Sequence, residues 1–430
     1  MNKTPASTSS AVPPQALSGL RVIELGQLIA GPFAGKTLAD FGAEVIKIEP
    51  PAADGQSGGD PLRQWRMLHN GTSVWWQVQS RNKKSVVLDL RTEEGRDTVR
   101  RLIDEADVVI ENFKPGTMEK WGMAYEVLSR TNPGLIMLRI SGYGQTGPYR
   151  ERPGFAVVAE AMGGMRYLNA EPGRVPVRAG VSLGDTLAGL HGVIGILLAL
   201  QARQRSISAE APKGRGQVVD VALYEAVFNC MESLLPEYSA FGAVRQPAGS
   251  ALPGIAPSNA YPCLDGMVVI GGNGDSIFKR LMIAIGRDDM ATDVELASNP
   301  GRVKRVAEID EAIGAWTSTR KVEQVLDVLN AASVPVGRIY SAKDIAEDPH
   351  YQAREMILPV TTHDGLTVER AGHRPEIVGH AWGDRAARPQ PGRGYGGGAV
   401  HPQAKGFLSP PGRCGMVAGA VGWRHRSTKA

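Results

Sequence analysis

Asp185 is an isolated carboxylate beside a long apolar segment. It is the only acidic residue between Glu171 and Glu210, and the apolar run at residues 187–200 follows it. An aspartate at the start of a helix commonly accepts backbone N–H groups and caps the helix. A carboxylate that is partly exposed beside apolar surface can instead attack an activated acyl or phosphoryl group. From the residues alone, both helix capping and nucleophilic catalysis remain open.

A second candidate is the segment AGPFAGKT at residues 30–37, Ala30 to Thr37. With Ala in place of the first Gly, it has the spacing of a nucleotide-binding P-loop that ends in Gly-Lys-Thr. Pro32 lacks the N–H that a phosphate cradle would use, and residues 26–29 separate the motif from the preceding apolar run. The alternatives are a helix N-terminus that binds another phosphate-bearing ligand, or an ordinary strand-to-helix turn.

Three further segments carry cations or clustered glycines. RNKKS at residues 81–85 and ENFKPG at residues 111–116 both lie at the ends of apolar runs. Cations at that place could bind the phosphates of a nucleotide-like ligand, and solvated loop charges are the alternative. GGNGD at residues 271–275 resembles a phosphate loop, but a strand-to-helix turn capped by Asp275 or Ser276 explains it equally well.

The elements that must position these residues alternate regularly. Short β-branched runs predict strands at residues 20–25, 44–49, 85–90, 107–112 and 135–141. Between them lie helical patterns, including residues 92–106 with Thr92 as N-cap, and an apolar buried helix covers about 185–204. This alternation predicts an α/β fold with a parallel sheet, whose ligands bind beyond the carboxyl ends of the strands.

Composition excludes several functional classes. The chain has 430 residues and a net charge of +4, but residues 371–430 alone carry nine Lys/Arg against two acids. A basic isoelectric point therefore gives no support for nucleic-acid binding by the body of the protein. Three widely spaced cysteines predict neither a disulfide framework nor a metal site. The N-terminus has no apolar signal core, and the longest apolar run is too short to span a bilayer.

Read together, the motifs resemble the class III CoA-transferases. The segments LSGLRVIEL, AGPFAGKTLADFGAEVIKIE, RNKKSVVLDL, ENFKPGTMEKWG, SGYGQTGP, PVRAGVSLGD and KGRGQVVDVAL follow one another in the family's order. The resemblance covers residues 17–368. It implies a Rossmann-like large domain with a parallel sheet, a smaller α+β domain, and two subunits interlocked as a homodimer. It also implies a reaction in which CoA passes from an acyl-CoA, possibly succinyl-CoA, to a free carboxylic acid.

The resemblance assigns roles to individual residues. Asp185 matches the family's catalytic aspartate, which forms covalent intermediates with the acyl group and CoA. Coenzyme A is the co-substrate, and no metal is implied. The positions that match the family's CoA contacts are Leu28, Ala30, Asn82, Lys83, Asn112, Phe113, Lys120 and Tyr143.

Three other functions remain as alternatives. The first is an α-methylacyl-CoA racemase of the same fold, although that class carries a His in an element that reads Gly154-Phe155-Ala156 here. The second is a P-loop nucleotide-binding protein that uses residues 30–37. The third is a non-catalytic relative whose altered C-terminal segment prevents dimer assembly.

The resulting domain prediction has six parts. They are a disordered leader (1–17), a large CoA-binding domain (18–205), a linker (206–224), a small domain (225–330), a return segment (331–370) and an atypical basic tail (371–430). The tail lacks the family's usual closing helix, which suggests a shifted reading frame near residue 371. We expect a cytoplasmic enzyme whose partners are its substrates and its second subunit, without nucleic acid or membrane.

Overall fold

The computed structural model describes residues 15–53, 58–362 and 365–372. The chain divides into two compact units. The first contains residues up to Met165, Ala179–Glu232 and the chain from Ala353; the second contains Arg166–Arg178 and Ser233–Gln352. The second unit therefore extends beyond the expected boundary at residue 330 and takes in most of the expected return segment. Most of the expected leader and nearly all of the expected basic tail lie outside the described residues.

The first unit is an alternating α/β structure. Its strands are β1 (Arg21–Glu24), β2 (Glu44–Glu49), β3 (Leu68–His69), β4 (Thr72–Ser73), β5 (Lys83–Val87), β6 (Val108–Glu111), β7 (Ile136–Ser141) and β8 (Val218–Ala222). Its helices are α1 (Ala30–Asp40), α2 (Val74–Ser80), α3 (Glu93–Asp104), α4 (Thr117–Lys120), α5 (Tyr125–Thr131), α6 (Ala156–Met162), α7 (Met165–Leu168, which runs into the second unit), α8 (Leu183–Arg205) and α9 (Leu223–Phe228). A 3₁₀ turn covers Pro61–Gln64.

Six of these strands form the expected parallel sheet. Its order is β5-β2-β1-β6-β7-β8, and every neighbouring pair is parallel. Alternate residues of each strand enter separate cores: Val22 and Val108 pack with α1 and α8 on one face, whereas Ile23 and Val109 pack with α3 on the other. Because both faces are covered, strands β1, β6 and β7 carry buried apolar side chains on both faces. The strand order reverses between β1 and β6, which makes their carboxyl ends the expected ligand-binding edge.

The predicted elements agree with this sheet apart from two details. Strand β5 begins at Lys83 and ends at Val87, two residues earlier than the start expected at Ser85. The segment after residue 217, to which the sequence analysis gave no element, supplies the sixth strand and helix α9. Thr92 caps α3 as predicted, because its hydroxyl accepts the N–H of Gly95.

Helix α8 is buried on one face only. Gly189, Gly192 and Ile196 pack inward, whereas Leu190, Ile194, Leu197 and Leu198 are exposed. The prediction of a buried helix was therefore only half right. Among the described residues, this is the one helix long and apolar enough to cross a membrane, a test that core helices of soluble proteins also pass.

The second unit is an α+β structure. Its elements are α10 (Leu234–Phe241), β9 (Ser258–Cys263), β10 (Gly266–Gly271), α11 (Asp275–Ala284), α12 (Asp288–Thr292), α13 (Asn299–Lys304), α14 (Val306–Thr317), α15 (Val322–Ala331), β11 (Val336–Arg338), α16 (Ala342–Glu347) and α17 (Pro349–Ala353). The sheet is antiparallel with the order β11-β10-β9, and Val268, Phe278 and Ile313 belong to its core. The hairpin β12 (Ile357–Thr361) and β13 (Thr367–Ala371) returns to the first unit.

Candidate functional site

The P-loop interpretation is wrong, because its residues form a helix. Helix α1 begins at Ala30, the first residue of the motif, so no loop remains to surround a phosphate. Pro32 occupies the first helical turn, where a missing N–H has no intrahelical partner to lose. Lys36 lies within the helix over the ring of Phe33 and is 8% exposed. Its burial, next to Arg81, lowers its pKa to about 8.

The turn between β1 and α1 is held by side chains from other elements. Asn112, just after β6, accepts the N–H of Gln27 at 2.8 Å and donates to its carbonyl oxygen at 2.8 Å. The N–H of Leu28 lies 3.1 Å from each carboxylate oxygen of Asp60. Lys47 donates to the carbonyl oxygen of Gly26. These contacts place Leu28, Ala30 and Asn112 together at the carboxyl ends of β1 and β6, where the switch-point rule predicts a ligand.

A cavity of about 640 Å³ opens at the same edge of the sheet. Its lining comes from the chain just after four adjacent strands, as shown by Gln27, Pro50, Leu90 and Phe113. Phe113 and Trp121 meet edge to face with ring centroids 5.2 Å apart. A volume of this size, with aromatic walls and a few polar groups, is typical of a small-molecule or cofactor site.

One positively charged side chain that lines the cavity was missed by the sequence analysis. Arg91 lines the cavity, and its guanidinium pairs with Asp89 at 2.9 Å while the side chain remains 68% exposed. The signal was present in the sequence, because Arg91 follows the carboxyl end of a predicted strand. The sequence analysis considered only the cations that precede that strand.

The lysine-rich segment lies at the opposite edge of the sheet. Arg81 and Asn82 precede β5, so they lie at its amino end, and both bind the carboxylate of Asp40. The ammonium of Lys83 reaches Glu24 at 2.7 Å and the carbonyl oxygen of Pro32, and its side chain is 2% exposed. The expectation that RNKKS and ENFKPG share one strand edge is therefore wrong. Asn82 and Lys83 do not line the cavity.

Beneath the cavity lies a buried network of charges. Lys47 contacts Asp60 at 2.9 Å and Glu24 at 3.3 Å, and these carboxylates hold its pKa above the usual range despite complete burial. Glu49 is also buried, but its pairing with Arg63 lowers its pKa to about 2. The network fixes the floor of the cavity, since removing either partner of such a pair would leave an uncompensated buried charge.

A second buried pair flanks Phe113. Glu111 accepts the N–H of Phe113 at 2.8 Å and contacts Arg139 at 2.7 Å. Burial raises the pKa of Glu111 to about 7 even though Arg139 opposes the shift. Lys120, which ends helix α4, is exposed and does not line the cavity.

Asp185 lies in the first turn of α8 rather than at its cap. The helix begins at Leu183 with Ser182 as N-cap, so Asp185 is the third helical residue and is half-buried. One turn later, a Cβ on Gly189 would lie 3.0 Å from the carbonyl oxygen of Ala30. Residues four apart share a helix face. The face that carries Asp185 is therefore the one packed against the first turn of α1.

Two neighbours define the surroundings of Asp185. The buried carboxylate of Glu160, on α6, accepts the N–H of Gly184 at 3.2 Å. Ala156 also packs there, since its Cβ lies 3.4 Å from where a Cβ on Gly184 would be. The preceding residue, Phe155, is 66% exposed. The element that carries a His in the racemases thus reaches the start of α8, but no imidazole is present in it.

Tyr143 lies in the loop after β7. Its ring is 6.0 Å from that of Tyr149 and 6.2 Å from that of Tyr224 on α9. It does not line the cavity. GGNGD is a strand-to-helix turn, but the N-cap is Gly274 rather than Asp275 or Ser276. Within the described ranges, no group of three His, Cys, Asp or Glu side chains could hold a metal ion.

A model of CoA-transferase family III matches residues 17–394. The chain belongs to CoA-transferase family III. The match extends past residue 371, where the sequence analysis expected family-like sequence to end. Its relatives include succinyl-CoA–D-citramalate CoA-transferase of Chloroflexus aurantiacus, at 49% identity over 83% of this chain and 86% of that protein. Succinate–glutarate CoA-transferase of Agrobacterium fabrum is 36% identical over 87% of this chain and 92% of its own length.

The fold agrees with this membership. A CaiB/BaiF family protein from Brucella suis superimposes with a TM-score of 0.75 at 36% identity, covering 86% of this chain and 95% of that one. The sequence-based prediction of the family, the α/β fold and a CoA-transferase activity is therefore confirmed. CoA thioesters are the co-substrates of such enzymes.

Proposed function

We propose that the enzyme transfers CoA from succinyl-CoA to a second dicarboxylic acid. The observation that carries this proposal is the 49% identity to a relative named as a succinyl-CoA–D-citramalate CoA-transferase. Other relatives are named for L-malate, glutarate and mesaconate, which all bear two carboxyl groups. The shared donor and the common chemistry of the acceptors favour a four- or five-carbon dicarboxylate over formate or the two-carbon oxalate.

In the proposed mechanism, Asp185 is the nucleophile. Its carboxylate attacks the succinyl thioester carbonyl, which breaks the C–S bond and gives a mixed anhydride and CoA thiolate. The thiolate attacks the aspartyl carbonyl, releasing succinate and leaving an aspartyl-CoA thioester. The acceptor carboxylate then attacks the carbonyl of the aspartyl-CoA thioester, which breaks the C–S bond and gives a second anhydride and free CoA thiolate. The thiolate finally attacks the acceptor's acyl carbon and displaces the aspartate. CoA leaves on the acceptor, and Asp185 is regenerated as a carboxylate.

Two features of α8 support this role. Asp185 is the one acidic residue of the helix and lies in its first turn, where the positive end of the helix dipole favours a negative charge. Its helix face packs against the first turn of α1, which follows the Leu28 turn. The residues beside the carboxylate include the small Gly184 and Ala156.

We assign the 640 Å³ cavity to the nucleotide end of CoA. Phe113 and Trp121 offer aromatic surface for the adenine ring, and Arg91 offers a partly exposed guanidinium for a phosphate. Leu28, Ala30 and Asn112 belong to the turn beside it. Asn82 and Lys83 would act on CoA only through the structure that they support, because their side chains bind Asp40 and Glu24.

The experiment is incubation with succinyl-CoA and a panel of mono- and dicarboxylic acids, with the CoA esters identified by mass spectrometry. Asp185→Asn should abolish transfer, and hydroxylamine added to the wild type with succinyl-CoA should label the Asp185 peptide. Glu210→Gln, at the next acidic residue along the chain, is the matched control and should keep full activity. Transfer by Asp185→Asn at the wild-type rate would refute the mechanism.

The racemase alternative makes a different prediction. Exchange of an α-proton needs a second acid/base group beside the substrate. The racemase element has Phe155 where the His would be, and it lies beside Gly184. We therefore expect no deuterium incorporation at the α-carbon of a methyl-branched acyl-CoA in heavy water.

We further propose that the enzyme works as an interlocked homodimer in the cytoplasm. The exposed apolar stripe Leu190, Ile194 and Leu198 on α8 is suited to burial against a second copy. Light scattering after size exclusion should give twice the mass of one chain, and Ile194→Asp should lower it. A monomeric wild type with full transfer activity would contradict the proposed dimer. It would also exclude the alternative of a non-catalytic relative.

A further inference from the structure

We propose that Asp60 is a positioning residue, which holds the β1–α1 turn in the conformation that binds acyl-CoA. The proposal rests on the proposed function, because it takes the cavity at this turn as the CoA site. Asp60 lies 32 residues after Leu28 in the chain, just before the 3₁₀ turn, and its carboxylate is buried at 2% exposure.

The turn does not hold its shape by its own hydrogen bonds. Leu28 has a φ of 63°, a left-handed conformation that L residues with a Cβ rarely adopt. Side chains from elsewhere bind four of its backbone groups: Lys47 binds the carbonyl oxygen of Gly26, Asn112 both groups of Gln27, and Asp60 the N–H of Leu28. The N–H of Gly26 donates to the carbonyl oxygen of Ile110 on β6. Backbone strain of this kind persists only when the surroundings determine it, and it often marks a ligand site.

Asp60 is the member of this set that binds the strained residue. Both of its oxygens accept the N–H of Leu28 at 3.1 Å, Oδ1 also accepts the N–H of Leu62 at 2.9 Å, and Oδ2 contacts Lys47 at 2.9 Å. Both oxygens are therefore needed as acceptors. An asparagine amide would replace one of them with an NH₂ donor, so a donor would face a donor in either orientation.

The effect should reach the ligand through the turn. Gln27 lines the cavity, and Leu28 and Ala30 are candidate CoA contacts. Asp60 borders the cavity as well, but three donors already occupy its carboxylate. Loosening the turn should therefore weaken the binding of acyl-CoA without slowing the chemistry of bound substrate.

The test is steady-state kinetics on Asp60→Asn with succinyl-CoA and the best acceptor acid, together with calorimetric binding of free CoA. We expect the KM for succinyl-CoA and the Kd for CoA to rise about tenfold, the size of one lost hydrogen bond to a charged group. The kcat and the KM for the acceptor should change less than about twofold, because only uniform binding is lost.

Asp107→Asn is the matched control. Asp107 accepts the N–H of Arg21 at 2.9 Å and pairs with Arg203 at 2.9 Å. Like Asp60, it therefore binds a backbone N–H and a cationic side chain, but at the amino end of β1. This variant should be less stable than the wild type but keep the wild-type KM for succinyl-CoA and Kd for CoA. Equal effects of the two variants, or a fall in kcat alone for Asp60→Asn, would overturn the proposal.

One further measurement covers a variant that does not fold. In the wild type without CoA, hydrogen exchange should show a protected amide at Leu28, and rapid exchange there would refute the proposal. If the wild type neither binds CoA nor transfers it, the proposed function fails instead.

Discussion

Arg302 is the most informative residue for the stability of the second unit. It lies on α13, is fully buried, and donates to the carbonyl oxygens of Ala256, Leu296 and Asn273 at 2.8–3.1 Å. It also reaches Asp275 at 2.8 Å, but that carboxylate is 65% exposed and adds little. The guanidinium is thus a buried clamp on three separate segments, one of which is the loop before β9.

Arg302→Met tests this clamp because it keeps an unbranched apolar side chain as far as about the position of Nε and removes every donor. Three buried carbonyl groups would lose their charged donor, and each such loss costs about 1–3 kcal/mol. Removal of the desolvated charge offsets part of this cost. The net loss should be about 3–5 kcal/mol, the usual range for breaking a buried charged contact. Arg302→Lys should recover only part of it, because an ammonium cannot span three acceptors set out for a planar fork.

The assay is urea unfolding followed by circular dichroism, with hydrogen exchange on the peptide that contains Ala256. The matched control is Arg305→Met, three residues along the chain, where the guanidinium pairs with Asp293 and Glu308 at the surface. We expect the control to leave the midpoint almost unchanged. If Arg302→Met destabilises by less than about 1 kcal/mol, or no more than the control, the assigned cost of unpaired buried carbonyls is wrong.

Three other predictions follow from the first unit. Glu160→Gln should lower kcat and change the KM for acyl-CoA by a smaller factor, because it weakens the hydrogen bond that holds Gly184 beside Asp185. Equal changes in the two kinetic constants would argue against that role. Gly189→Val should destabilise the enzyme by about 1–3 kcal/mol, because its Cβ would lie within 3.0 Å of α1, and thermal unfolding measures this. Lys36 has a pKa of about 8 in the folded state against 10.5 in the unfolded chain, so wild-type stability should rise with pH between these values. Lys36→Met should remove that rise in urea titrations repeated across the interval, and a rise that persists would contradict the assignment.

The sheet was predictable because its strands are simple in physical terms. The runs at residues 108–110 and 136–138 are buried on both faces, so they appear as uninterrupted apolar sequence whatever lies around them. The start of β5 was not predictable in this way. Lys83 and Lys84 look like loop residues, and they enter the strand only because Glu24 and Glu44, distant in sequence, accept their ammonium groups.

Some residues of the candidate site were predictable from the sequence, whereas others were assigned wrongly. Asn112 and Phe113 follow a strand, and the carboxyl ends of parallel strands meet at one edge of the sheet, so their position at that edge was predictable. The P-loop interpretation of residues 30–37 was wrong because a Gly-Lys-Thr sequence does not by itself distinguish a loop from a helix. No local pattern could show that Asp60 binds the turn at Leu28, because that contact depends on the tertiary structure.

The position of Asp185 reconciles the two readings that the sequence left open. As the third residue of α8 it lies within the first turn, near N–H groups that have no intrahelical partner. A helix N-terminus favours a negative charge, and the mechanism that we propose uses the ionised carboxylate as its nucleophile. In that mechanism, formation of the anhydride would remove the charge from the aspartate, and the helix N-terminus would lose a favourable interaction. This loss would favour passing the acyl group onward over accumulation of the anhydride.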